Sequence, residues 1–236
     1  VNYCRAEIRD YIQWGMRRFD DDFVAEVNRT DALFVGGVSL FQLWRPDSLS
    51  GTYFDLPAEA FSRIRRPIVF YGVGSDATRG IRPETVERVR RWLDRVLETD
   101  RVAFSLRNDG SKTLLTEALG SAYTDRMKVI PDGALFAEPL AVDWPLGWGD
   151  APYVIVQLAG DMPDIRYGNR PEMFVPAVAA GIERLLLEHP DCRCLLLPNV
   201  YSDVKLAAQC VEALGDRLRR TRVSVGPCET GPEGWK

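Results

Sequence analysis

The residues of this sequence that could bind a ligand stand where short apolar runs end. Gly36 and Gly37 follow one such run, and Gly72 and Gly74 close another. Glycine lets the backbone approach a ligand closely, and a helix that follows can offer free N–H groups to an anion. Each pair is also typical of a plain tight turn. Neither has the G-x-G-x-x-G spacing of dinucleotide sites, so a nicotinamide cofactor is not expected.

Charged residues end two further runs. Arg107 follows residues 102–106, and Asp132 follows residues 128–130. A guanidinium at the end of a strand could bind a carboxylate or phosphate through two parallel hydrogen bonds. The alternative is that Arg107 forms an ion pair with Asp109 or Asp132 that holds the turn. Asp132 is expected to orient Arg107 or to cap the next segment, and it could also contact substrate.

The second half of the chain offers weaker candidates. Arg166 and Arg170 lie in the polar, turn-rich segment 161–170, which could form a mobile loop over a cleft and meet an anionic donor. Asn199 follows the apolar run 194–197 and is a further candidate for contact with a ligand. Exposed loop arginines without any ligand are the alternative.

Several kinds of catalytic chemistry are not indicated. The single histidine, His189, lies at a predicted helix end, where capping is expected, so no Ser-His-Asp or Cys-His arrangement can be built on it. Cys192 and Cys194 lack the second pair of ligands that a zinc site needs. No lysine follows a glycine cluster as it does in a P-loop. Neither a metal ion nor a resident cofactor is therefore expected.

Apolar runs and helical patterns alternate along the chain, so the predicted fold class is α/β with mostly parallel sheets. Strands are predicted at residues 32–35, 67–71, 102–106, 128–130, 153–158, 194–197 and 222–225. Helices are predicted at residues 83–97, 110–119, 171–188 and 203–214, with Ser111 as N-cap of the second and Ser202 or Asp203 as N-cap of the last. The strands are apolar throughout, as expected where helices cover both faces of a sheet.

The stretch 137–152 interrupts this alternation, because its three prolines and two glycines suit neither a helix nor a central strand. We therefore predict two Rossmann-like domains, residues 1–140 and 153–236, joined by a linker at residues 141–152. The second domain is predicted to be incomplete, because few elements follow residue 153.

Composition narrows the choice of partners and compartment. The 236 residues are 46% hydrophobic and carry a formal net charge of −4, which disfavours nucleic acid as a partner. No apolar run is long enough to cross a bilayer, and the first residues lack the apolar core of a signal peptide. Five scattered cysteines suit a reducing compartment, so a cytoplasmic location is expected. Self-association into a homo-oligomer stays open.

Five groups of residues, taken in order, carry a family resemblance. They are 31–37, 69–74, 105–111 with Leu114, Leu115 and Gly120, 129–132, and 195–199 with Asp203. In this order they resemble the polysaccharide pyruvyl transferase family. The resemblance implies a two-domain fold like that of GT-B glycosyltransferases, with the active site in the interdomain cleft. It also implies transfer of a pyruvyl group from phosphoenolpyruvate to a sugar of a glycan or polysaccharide precursor.

The chain departs from the family pattern at three points. Val38 stands where the family usually has a third glycine, and Asn108 stands where it usually has an acidic residue. The Arg-x-His motif that the family carries late in its second domain does not occur in this sequence. Either a missing C-terminal part carries that motif, or the chain is a divergent member. The alternatives are thus a GT-B glycosyltransferase with a nucleotide-sugar donor and a catalytically inactive binding protein of the same fold.

Overall fold

Parallel strands form the framework of the chain. The computed structural model describes residues 11, 15–136, 150–168 and 170–226. Contacts divide the chain into a first unit, residues 1–138, and a second unit, residues 139–236. The predicted linker at 141–152 lies outside the described residues except for its last three. A strand begins shortly after it, at Tyr153.

The first unit contains a four-stranded sheet in the order β1-β3-β5-β6 and a two-stranded sheet, β2-β4. The strands are β1 (Leu33–Gly36), β2 (Phe41–Gln42), β3 (Ile68–Val73), β4 (Ser75–Asp76), β5 (Val102–Arg107) and β6 (Lys128–Ile130). Every strand pair of both sheets is parallel. Sequence patterns did not predict β2 and β4, because two residues are too few to show a period.

The helices of the first unit precede or connect these strands. They are α1 (Asp21–Val27), α2 (Ala58–Phe61), α3 (Pro83–Val96), α4 (Ser111–Leu119) and α5 (Ser121–Thr124), followed by a 3₁₀ turn at Gly133–Phe136. Helix α3 begins with Pro83, whose fixed φ suits a first helical position where no N–H bond is needed. Its apolar stripe is buried, as the helical spacing predicted.

Aromatic rings fill the space between α3 and the sheet. Phe70 of β3 and Phe104 of β5 stack with ring centroids 4.3 Å apart. Trp92 of α3 meets Phe70 edge-on, with centroids 5.7 Å apart. Each such pair contributes about 0.5–1.5 kcal/mol beyond the apolar area that it buries. This packing fixes α3 over the middle of the sheet.

The second unit repeats the plan on a smaller scale. Its parallel sheet has the order β7-β8-β9, formed by β7 (Tyr153–Val156), β8 (Arg193–Leu196) and β9 (Val223–Val225). Its helices are α6 (Pro163–Tyr167), α7 (Pro171–Glu188), α8 (Tyr201–Ala213) and α9 (Asp216–Thr221). Buried side chains of α7, α8 and one sheet face share a core that includes Ile182, Leu206 and Leu196.

The expectation that both faces of every strand are covered does not hold at the outer strands β1 and β7. Burial alternates along β1 and β7, and Phe34 and Tyr153 on the uncovered faces are 68% and 60% exposed. The reason lies in the strand order, which follows the chain in both sheets. Right-handed crossovers that always step in one direction put every connecting helix on the same side.

The architecture is therefore mixed α/β with parallel sheets, as the sequence predicted, and it is compatible with a Rossmann-like fold. Within the described residues, no helix combines the length and apolar character needed to cross a bilayer.

Candidate functional site

Arg107 lies at the carboxyl end of β5 and is held by two carboxylates. Its Nε donates to Oδ2 of Asp109 at 2.7 Å, and its Nη1 lies 3.7 Å from Oδ2 of Asp132, an ion pair beyond hydrogen-bond length. The Arg107 side chain is 22% exposed, against 33% and 48% for the two carboxylates. The structural alternative for Arg107, an ion pair with Asp109 or Asp132, is thus what the structure contains.

Asp109 also fixes the start of helix α4. Its Oδ1 accepts hydrogen bonds from the backbone N–H of Ser111 at 3.1 Å and from the Ser111 hydroxyl at 2.5 Å. The Ser111 oxygen in turn accepts the backbone N–H of Ser75 at 2.9 Å. The prediction of Ser111 as N-cap was wrong, because the N-cap is Gly110. The Ser111 oxygen instead accepts the hydrogen bond from Ser75, at the start of β4.

These contacts determine the charge of the cluster. Partial burial of Asp109 opposes ionisation, but the hydrogen bonds from Ser111 and the ion pair with Arg107 outweigh it and lower the pKa of the carboxyl below its ordinary value. One guanidinium and two carboxylates therefore face each other, and the negative charges outnumber the positive one. The place that a ligand anion would take at the start of α4 is filled by Asp109 itself.

The four candidate glycines lie together at this edge. Gly36 of β1 is paired with Tyr71 of β3, and the backbone N–H of Gly74 donates to Val38 at 2.8 Å. Gly37 has a φ of 69° in the turn after β1, and Gly72 has a φ of 55° inside β3, where the register with β5 shifts. A Cβ on Gly74 would lie 2.8 Å from Nη2 of Arg107, so the missing side chain there makes room for the arginine.

Asp76 at the end of β4 is satisfied within the chain as well. Its Oδ2 accepts from Nε1 of Trp44 at 3.0 Å, and its Oδ1 accepts the backbone N–H and hydroxyl of Thr78 at 2.9 and 2.7 Å. Partial burial opposes ionisation of Asp76, but these hydrogen bonds outweigh it and lower the pKa of the carboxyl. Arg79 lies over the Trp44 ring, 4.9 Å from its centroid. The polar side chains at the ends of β4 and β5 thus form hydrogen bonds that stabilise the loops after these strands.

The two arginines of the second unit differ in their surroundings. Nε of Arg166 donates to the backbone oxygen and to Oδ1 of Asp161 at 3.1 and 3.0 Å, which closes the loop after β7 on itself. Arg170 is exposed just before α7, and its guanidinium has no ion-pair or hydrogen-bond partner within the described residues. Of the two candidates, Arg170 is the one whose charge is available to a ligand.

Asp203 has a role that the sequence did not reveal. The helix begins at Tyr201, so neither Ser202 nor Asp203 is its N-cap, and Asp203 lies in its first turn with only 1% of its surface exposed. Its Oδ2 accepts the backbone N–H groups of Asn199 and Val200 at 3.0 and 3.1 Å. Its Oδ1 accepts the backbone N–H of a residue in another loop, Gly160, at 2.6 Å.

Asn199 lies at this junction and is half-buried. Its backbone N–H is bound by Asp203, but its side-chain amide has no hydrogen-bond partner in the part of the chain that the structure describes. An amide that is held in place by its backbone and unpaired at its tip is available to a ligand.

No protein-family model, curated protein or solved structure matches this chain. The resemblance to the pyruvyl transferase family thus stays a prediction from sequence motifs. The placement of the motif residues in the two sheets is an independent observation.

Other sites are less suited to ligand chemistry. His189 ends helix α7, as predicted, with its backbone N–H bonded to Leu185. Burial and the neighbouring thiols of Cys210 and Cys192 raise the pKa of the Cys194 thiol to about 12, which leaves it unreactive at neutral pH. Among the described residues, no three His, Cys, Asp or Glu side chains are grouped as a metal site would need.

Two cavities of the first unit lie away from the strand ends that carry the candidates. One, of about 340 Å³, is lined by residues that include Ser62 and Arg101, at the amino end of β5. The other, of about 370 Å³, is lined by residues that include Phe23 and Arg18. Neither of these two cavities is lined by a predicted site residue.

Proposed function

We propose that this chain is a pyruvyl-transferase-like enzyme that moves a pyruvyl group from phosphoenolpyruvate to a sugar of a glycan or polysaccharide precursor. The observation that supports it is the position of the motif residues. Gly36, Gly74, Arg107, Asp132 and Asn199 all lie at or just after the carboxyl end of a parallel strand. Open α/β sheets bind their ligands at this edge.

The donor has a carboxylate and a phosphate, so cations and amide donors should hold it. We assign it to Arg170 and Asn199, since neither side chain has a partner within the described residues. Arg107 suits the donor less well, because two carboxylates already balance its charge. Arg166, in turn, is engaged by Asp161.

The sugar of the proposed acceptor is rich in hydroxyl groups. The cluster of Arg107, Asp109 and Asp132 offers both donors and acceptors of hydrogen bonds without a net positive charge, which suits hydroxyls better than anions. Asp132 has the more exposed carboxylate of the cluster and is our candidate for contact with the sugar.

The reaction itself is a simple exchange of bonds. Two sugar hydroxyl oxygens become bonded to the enol carbon of phosphoenolpyruvate, and the bond from that carbon to the phosphate oxygen breaks. One hydroxyl proton ends on the methylene carbon, which becomes a methyl group, and the other ends on the released phosphate. Groups that take up and deliver these protons would act as general base and general acid.

Thermal unfolding with added ligands tests the proposal. Phosphoenolpyruvate should raise the unfolding midpoint, because a ligand at one hundred times its Kd adds about 2.7 kcal/mol to the free energy of unfolding. Arg170→Ala should raise the Kd about tenfold or more, the loss expected for one charged hydrogen bond. Arg217→Ala, at an exposed arginine of α9, is the matched control and should change nothing.

The same experiment separates the alternatives. Stabilisation by UDP- or GDP-sugars and not by phosphoenolpyruvate would contradict pyruvyl transfer and favour a glycosyltransferase. A binding protein without catalysis is the second candidate, favoured by the internally paired Arg107. Stabilisation by phosphoenolpyruvate without phosphate release, for any sugar supplied, would identify it.

A further inference from the structure

A single buried carboxylate joins the loop that carries Asn199 to the loop after β7, which leads through α6 toward Arg170. Asp203 is 1% exposed and binds Gly160 in the loop after β7 through one oxygen. Through the other oxygen it binds Asn199 and Val200 in the loop after β8. All three donors are backbone N–H groups, so the carboxylate fixes the course of the main chain in both loops.

The approach of the loops is too close for any residue but glycine at position 160. A Cβ built there would overlap the backbone oxygen of Ser202, in the first turn of α8. Beyond Gly160 the loop passes through Met162, which has a positive φ of 47°, rare for a residue with a side chain. It then leads through α6 toward Arg170.

We propose that Asp203 is a positioning residue, which fixes Asn199 and the loop that leads to Arg170 in the arrangement that binds the donor. This inference rests on the proposed function. Asp203 itself does not touch the donor, because its two oxygens are occupied by backbone groups and its side chain is buried. The arrangement of Asn199 and Arg170 that binds the donor would be lost if either loop moved.

The substitution Asp203→Asn should break the hydrogen bond to Gly160 and keep those to Asn199 and Val200. An asparagine has one acceptor oxygen, which can keep the two N–H groups of Asn199 and Val200, and then its NH₂ group faces the N–H of Gly160. Hydrogen exchange should accelerate about tenfold or more at Gly160 and stay slow at the other two amides. Ser202→Ala, in the same turn, should leave all three rates unchanged.

Binding of phosphoenolpyruvate is then measured with both variants. Asp203→Asn should raise the Kd about tenfold, while Ser202→Ala keeps the wild-type Kd. Ile182→Val, which shortens a buried side chain of α7, controls for lost stability and should also keep the Kd. If Gly160 exchanges faster and the Kd is unchanged, the positioning role is wrong. If wild-type protein fails to bind phosphoenolpyruvate, the proposed function fails instead.

A second measurement does not depend on whether the variant folds. In the wild-type protein, phosphoenolpyruvate should slow hydrogen exchange in residues 158–162 and 199–201 together, because one carboxylate couples the two segments. Slowing that is confined to one segment would overturn the inference. Fast exchange of Gly160 in the free protein, at the rate of an unbonded amide, would overturn it as well.

Discussion

The ion pair between Arg107 and Asp109 should contribute to stability and not to donor binding. The Nε–Oδ2 distance of 2.7 Å is that of a strong charged hydrogen bond. Such bonds contribute about 1.5–3 kcal/mol, and surface ion pairs at most about 1 kcal/mol. Because the two side chains are 22% and 33% exposed, we expect a coupling energy of about 1–2 kcal/mol.

A double-mutant cycle measures this coupling. Urea unfolding of the wild-type protein, Arg107→Ala, Asp109→Ala and the double variant gives four free energies of unfolding, and their combination isolates the pair. Asp109→Ala should be the more costly single change, because it also removes the acceptor for the backbone and hydroxyl of Ser111. The Kd for phosphoenolpyruvate should be the same in wild-type protein and Arg107→Ala.

The coupling should also depend on pH with a definite sign. The pKa of Asp109 is lowered in the folded protein, so its charged form adds stability at pH values above the pKa of the unfolded chain. This contribution is lost as the pH falls through the folded pKa. The stability difference between wild-type protein and Asp109→Asn should therefore be full at neutral pH and shrink below about pH 4.

Two results would refute this reasoning. A coupling energy near zero at neutral pH would show that the ion pair does not stabilise the turn. A rise in Kd of tenfold or more in Arg107→Ala, with the stability unchanged, would make Arg107 a donor contact and return the donor to the first unit.

Two further predictions concern packing and reactivity. Gly51→Ala should lower the free energy of unfolding by about 2–4 kcal/mol, because Gly51 has a φ of 74° and a Cβ there would overlap Val89 of α3. Gly80→Ala, at a φ of 89° with open space around it, should cost only about 1–2 kcal/mol in the same urea titration, and equal costs would contradict the overlap. Cys194, with its pKa raised to about 12, should resist iodoacetamide at pH 8 until urea unfolds the protein, as read by mass spectrometry. Rapid labelling of the folded protein at Cys194 would contradict its burial.

The strands were predictable because burial leaves a local record in the sequence. The run at 128–130 coincides with β6, and those at 102–106 and 153–158 begin where β5 and β7 begin. Helix 171–188 was predicted at its observed bounds, since an apolar stripe and an N-terminal proline mark it. Short-range patterns of this kind reflect local structure directly.

The contacts of the candidate residues, in contrast, could not be predicted from local sequence patterns. Asp203 reads as a helix cap, and nothing near it in sequence indicates a hydrogen bond to Gly160, 43 residues away. The pairing of Arg107 with Asp109 was one of two open alternatives, because spacing shows that they are near but not which partner prevails. The exposed faces of β1 and β7 were missed because they depend on strand order, which apolar runs do not encode.

The strand order of the two sheets has a consequence for any ligand that they bind. In doubly wound sheets, a crevice opens at the switch point where the order of strands reverses and neighbouring helices part to opposite sides. Neither the four-stranded nor the three-stranded sheet reverses within the described residues. The shape and selectivity of a ligand-binding site at either edge would therefore depend on the conformation of the loops alone. In a doubly wound sheet the strand order itself forms the crevice. Here carboxylates fix the loops instead, Asp109 in one unit and Asp203 in the other.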